Sequence, residues 1–145
     1  MTATSTATTF AADGNLLTPA SAECRTSDLT LAEFRRLRGK MDGFNPRART
    51  VAEYQQIPAK GWPDLDAGSP FGTLMTHRES IQLFLELGVR MIPELKTPVV
   101  AMPFAGFTQE AFAQQLIDEY KEAGVDPSRV WPQSFDPRDI RYWLA

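Results

Sequence analysis

Val89-Arg-Met-Ile-Pro-Glu-Leu-Lys96 and Arg129-Val-Trp-Pro-Gln-Ser134 are the two stretches whose reading decides the fold. Each is short and apolar, and each follows a helical pattern closed by a glycine, Gly88 and Gly124. Glycine suits the left-handed position just past a helix end. Ahead of the first run, Thr76-His-Arg-Glu79 has the capping-box pattern and opens a helix with Ile81, Phe84 and Leu85 on one face. Between the runs, Thr108 caps a helix through Ala123, with Phe112, Leu116 and Tyr120 at four-residue spacing beside Ala113 and Ile117. After the second run, Asp136 as N-cap, Pro137 at the first helical position and Asp139 start a last helix. Helix, strand, helix, strand, helix is the order of an α/β fold. It predicts parallel strands near 89–95 and 129–134 joined by a right-handed helical crossover. Function in such folds collects at the C-terminal ends of the strands.

Order thins toward the N-terminus. Thr30-Leu-Ala-Glu33 is another capping box and, with Leu31, Phe34 and Leu37 spaced by three, predicts a helix over 31–38 that Gly39 can end. Residues 1–27 are rich in Thr, Ala and Ser and read as a flexible or irregular lead-in, leaving 28–145 as the domain. From Lys40 to Phe71 the chain makes a Pro- and Gly-punctuated excursion, in which Thr50-Val-Ala-Glu53 starts a brief helix.

The 145 residues suffice for one packed core. They do not suffice for a complete (β/α)8 barrel, which takes roughly 250. Fifteen basic and 18 acidic side chains give a net charge of −3. They are interleaved, which argues against a nucleic-acid surface. The run Arg35, Arg36, Arg38 and Lys40 reads as a solvated helix end, where cations favour the dipole. Cys24 is the single cysteine, so no intrachain disulfide and no cysteine zinc cluster is expected. Met1 to Thr9 lacks a basic region and an apolar run, so it does not read as a signal peptide, and no segment reaches membrane-spanning length. Localisation stays open.

Because side chains alternate along a strand, Ile92, Glu94 and Lys96 should share one face, as should Trp131, Gln133 and Phe135. A carboxylate, an ammonium and an amide then meet at the C-terminal mouth. A carboxylate there needs a partner, which a divalent cation or Lys96 could supply. A plain Glu94–Lys96 ion pair at a strand end is the simpler reading of the spacing.

Pro93-Glu-Leu-Lys96, followed by Gln133-Ser-Phe-Asp136 at the opening of the next helix, resembles the glycerophosphodiester phosphodiesterase family. Leu31 to Leu37 after its Thr-Leu start is similar to that family's segment before its mid-barrel strands, so the resemblance runs over about residues 28 to 145. It implies a partial (β/α)8 TIM barrel. It also implies Ca²⁺- or Mg²⁺-dependent hydrolysis of glycerophosphodiesters to an alcohol and glycerol 3-phosphate. By resemblance Glu94 is a metal ligand, Lys96 stands beside the phosphate, and Gln133 lines the mouth. The family's His-Arg-Gly strand end, its Glu-x-Asp metal pair and its second histidine before an Asp have no counterpart here. No catalytic residue is therefore assigned.

The sole histidine, in His77-Arg-Glu79, lacks the glycine and falls in a helical first turn, where a cap or surface role is expected. Asp64-Leu-Asp66 lies in the excursion and does not replace the missing carboxylates. The expectation is a truncated or split barrel piece, inactive alone; whether its parent is periplasmic or secreted stays open. Open sheet edges would favour self-association or a complementary fragment. A non-catalytic phosphate- or metal-binding module and an interaction protein are the alternatives.

Overall fold

A computed structural model describes residues 4–40, 43–55 and 71–145. The chain divides into two compact units, Met1–Leu74 and Met75–Ala145. This boundary differs from the one at residue 27 read from composition. Trp62, Asp64 and Asp66, and the excursion between 56 and 70, lie outside the described residues.

In the first unit, β1 (Thr4–Thr6) pairs antiparallel with β4 (Ser21–Glu23). Nested inside, β2 (Thr9–Phe10) pairs antiparallel with β3 (Leu16–Thr18). The stretch expected to be irregular is thus a long hairpin. Its tip is closed by the amide of Gly14 donating to Ala11 O at 2.9 Å, with Gly14 at φ 82° and the Asp13 carboxylate accepting from the Asn15 amide at 3.0 Å. Asp-Gly is a strong hairpin signal because glycine takes the positive φ without steric cost.

The Thr30–Glu33 capping box forms, but α1 spans only Leu31–Phe34. Its apolar stripe finds no burial, Leu31 being 53% and Leu37 39% exposed, and a short helix needs packing to persist. Beyond it β5 (Arg38–Gly39) pairs antiparallel with β6 (Gly72–Thr73), so Gly39 is strand and not helix stop. A brief helix, α2 (Val51–Gln55), starts where Thr50 Oγ1 accepts from the Glu53 amide.

In the second unit the local signals hold closely. Helix α3 (His77–Glu86) starts at the Thr76–Glu79 capping box, and α4 (Gln109–Glu122) at the Thr108 side chain. Both end in the same way: Gly88 at φ 68° and Gly124 at φ 67° let Val89 N–H reach Phe84 O at 3.2 Å and Val125 N–H reach Tyr120 O at 3.1 Å. α5 (Pro137–Leu144) begins at the Asp136 N-cap.

The two expected strands pair, and they pair parallel. β7 (Glu94–Leu95) and β8 (Gln133–Ser134) align Glu94 with Gln133 and Leu95 with Ser134, and Met91 and Val130 form a parallel bridge ahead of them. The regular ladder is shorter than 89–95 and 129–134 because Pro93 has no N–H. The amide of Met91 donates to Arg129 O, Trp131 donates to Met91 O, and Gln133 donates to Pro93 O, each at 2.9 Å. The one bond the parallel pattern would draw from residue 93 is missing.

Met91 and Leu95 turn to one side and are buried with Ile81, Ala113, Leu116, Tyr120 and Val125 in the core. The buried stripe of α4 is Gln109, Ala113, Leu116, Glu119 and Tyr120, with Phe112 and Ile117 on its margins. The stripe therefore lies slightly round the helix from the one centred on Phe112. Met91 is buried in this core, whereas Met75 is 41% exposed. All four sheets among the described residues are two-stranded, which makes the architecture mixed α/β with no closed barrel among them.

Candidate functional site

The pleat of β7 turns Leu95 into the core and leaves Glu94 and Lys96 on the opposite face, at the C-terminal ends of the parallel pair. Lys96 Nζ stands 2.8 Å from Glu94 Oε1, and Gln133 Nε2 points to Glu94 Oε2 at 3.4 Å. The sequence therefore places its three candidates together. The contacts are loose, however. At 3.4 Å the amide contact is at the long end of hydrogen bonding, and Glu94 Oε1, though buried, has no aligned donor even with the ammonium at ion-pair distance. Lys96 is 84% exposed, so the pair is largely screened and contributes little to stability. A carboxylate oxygen left without an aligned donor remains open to a further cation.

As a metal site this set is incomplete. Ca²⁺ takes six to eight oxygens and Mg²⁺ six. Glu94 offers a carboxylate and Gln133 at most an amide oxygen, and the described residues contain no group of three or more metal-ligating side chains.

Below the mouth lies a buried polar network that the sequence did not announce. Asp139 is 1% exposed; its Oδ1 accepts from Gln109 Nε2 at 2.7 Å and its Oδ2 from Ser134 Oγ at 2.6 Å. Ser134 Oγ in turn accepts from the Asp136 amide at 3.0 Å. Asp139 thereby ties β8 to the starts of α4 and α5 and fixes the turn that follows Gln133. Asp136 is the N-cap and accepts from both the side chain and the amide of Arg138, which hold its carboxyl at about 2, below the ordinary 3.8. A carboxyl depressed in the fold stabilises above its ordinary value and loses that contribution as the pH falls toward 2. NMR titration of the Asp136 carboxyl should therefore give a midpoint near 2, and Arg138→Gln should move it up toward 3.8.

His77 belongs to a second cluster. Its Nδ1 lies 2.7 Å from Oε2 of Glu119, which is 6% exposed, and its ring meets Tyr120 edge-on at 5.0 Å. Arg78 pairs with Glu119 at 3.3 Å and with Glu122, and Gln115 Nε2 donates to Glu119 Oε1 at 2.9 Å. Burial raises the Tyr120 hydroxyl above its ordinary value. The first turn of α3 thus meets the last turns of α4, so His77 is an interhelix clasp and not only a capping residue. None of its contacts is Glu94, Lys96 or Gln133. No local signal in the sequence foretells that His77 and Glu119, 42 residues apart, are partners.

What fold and site define together is an α/β unit with a parallel strand pair, a carboxylate and a cation at its C-terminal rim. No family model matches the chain, and no solved structure matches it. A protein named "Extracellular protein" from Arthroderma benhamiae is 51% identical over 104 residues, which cover 71% of this chain. The chain spans 42% of that relative's length. No described helix is long and apolar enough to cross a membrane.

Proposed function

We propose that the chain is part of a phosphodiester-hydrolysing (β/α) barrel of the glycerophosphodiester phosphodiesterase kind, supplying one carboxylate of a Ca²⁺ or Mg²⁺ site and a phosphate-side lysine. The observation that carries this reading is the emergence of Glu94, Lys96 and Gln133 side by side at the C-terminal ends of adjacent parallel strands. The same face exposes Ile92 (67%), Trp131 (47%) and Phe135 (83%), the apolar surface expected where further barrel strands would pack. A bound cation would polarise a phosphoryl oxygen. Glu94 would contribute to holding it, and Lys96 would offset charge developing on the phosphate. The name of the Arthroderma relative supports a parent that works outside the cell.

With no histidine and no further carboxylate placed at this rim among the described residues, the chain by itself is expected to leave glycerophosphocholine intact in Ca²⁺ or Mg²⁺. Turnover that Glu94→Ala abolishes would contradict this. Calorimetric titration with Ca²⁺ in the presence of glycerol 3-phosphate tests what the rim still does: weak, millimolar-range binding that Glu94→Gln removes is expected, as for a site with few ligand charges. No heat above dilution would remove the reading. Binding without turnover also fits a module that has kept ligand binding and shed catalysis.

A further inference from the structure

We propose that the N-terminal unit carries a separate binding cleft for a small sugar or polyol bearing an oxyanion. The long hairpin and the segment around α2 enclose a cleft of about 350 Å³, at the small end of the range for ligand sites. Its floor is made of small side chains: Ala20 and Ala48 are 7% and 3% exposed, which leaves space where larger residues would close it. Hydroxyl-bearing residues of β1, β4 and α2 line it together with Arg49. Alternating hydroxyls and small apolar carbons match the mixed C–H and O–H surface of a polyol. Tyr54 is the one aromatic side chain in the lining, and its ring is tilted against Phe44 with centroids 5.3 Å apart, so the cleft is not built as a base-stacking platform.

Two observations give the cleft its charge and its fixed donor. Arg49, which lines the cleft, holds its guanidinium 4.8 Å from the centroid of the Phe10 ring, and Arg47, outside the lining, approaches the same ring at 5.0 Å. No described acidic side chain pairs with either; Arg47 Nη2 donates to Gly14 O at 3.0 Å, and Glu53 accepts from the Arg49 amide, not from its side chain. Two cations on one ring repel each other, and an anion held in the cleft at Arg49 relieves that repulsion. The ring holds them in place, so less side-chain freedom is lost on binding. Second, the Tyr54 hydroxyl accepts from the Ala22 amide at 3.0 Å, which fixes its position and leaves its proton to donate to a ligand. Phosphate and carboxylate share the chemistry an arginine recognises, so the class is a phosphorylated sugar or a sugar acid.

Calorimetry with glucose 6-phosphate, glucuronate, glucose and inorganic phosphate, each alone, tests the assignment. At least one anionic sugar is expected to bind more tightly than both glucose and phosphate. The order of glucose 6-phosphate and glucuronate identifies which anion the cleft prefers. Arg49→Gln should weaken that binding by about tenfold or more, the scale of a charge-assisted hydrogen bond. Arg49→Lys keeps a cation in place and should bind within a few-fold of the wild type, which separates lost charge from lost structure. Glu94→Gln should leave it unchanged, so this result stands or falls apart from the phosphodiesterase reading. Anionic sugars binding no better than phosphate, no binding by any of the four, or binding indifferent to Arg49→Gln would each overturn the proposal.

Discussion

Asp139→Ala is expected to destabilise the C-terminal unit by about 3 kcal/mol, since a buried donor left without its acceptor costs roughly 1–3 kcal/mol and this change orphans two. The carboxylate is 1% exposed and takes one bond from Gln109 and one from Ser134. It also sits in the first turn of α5, where the helix dipole favours a negative charge. In a unit of this size each kcal/mol shifts the midpoint of thermal unfolding by roughly 4–8 °C, so a drop of about 15 °C should be seen. Asp139→Asn keeps the shape and can still accept from one partner while donating to the other, and about 1 kcal/mol is expected. If Asp139→Ala and Asp139→Asn melt together within a degree or two, the network does not hold the turn after β8.

Ile81→Ala should cost about 3 kcal/mol and Ile81→Val about 1 kcal/mol, as emptied and trimmed core sites do. Ile81 is 1% exposed and packs in the cluster formed with Met91, Leu95, Ala113, Leu116, Tyr120 and Val125. It is the fully buried residue of α3, with Leu85 packed beside the core, so its loss should loosen α3 from α4 before the strand pair separates. Leu144, 83% exposed, is the control: its change to alanine should stay within about 0.5 kcal/mol. Urea unfolding followed by tryptophan fluorescence reads all three. Equal midpoints for Ile81→Ala and Leu144→Ala would mean that α3 is not part of the core.

The parts of this structure that the sequence discloses are those governed by chemistry within a few residues. Thr76 with Glu79 and Thr108 before Gln109 mark where helices start; Gly88 and Gly124 mark where they stop, because only glycine takes that backbone cheaply. Strand alternation was enough to put Glu94 and Lys96 on one face, and the helix between the strands was enough to make the pair parallel. The N-terminal hairpin was legible too, in Asp13-Gly14 between a Thr-Phe and a Leu-Leu-Thr run. Its many threonines resemble low-complexity sequence and hide that signal, although threonine also favours strands.

Other features have no local trace. The length of α1 depends on what its stripe meets, and Leu31 and Leu37 meet too little. Glu119 is buried only because His77, Arg78 and Gln115 gather around it, and Asp139 only because Gln109 and Ser134 face it. A carboxylate's partners across helices are settled by packing, which periodicity reports as a face and not as a contact list.

The functional proposal rests on Glu94 and Gln133 lying abreast on strands that run the same way, and NMR of the isotope-labelled chain measures that without reference to any ligand. A cross-strand contact between the Gln133 amide proton and the protons of Pro93 and Glu94 is expected, with slow exchange of that amide and no close Hα–Hα pairs between 91–95 and 130–134. Close Hα–Hα pairs between those segments, the mark of an antiparallel ladder, or a freely exchanging Gln133 amide would contradict the proposal.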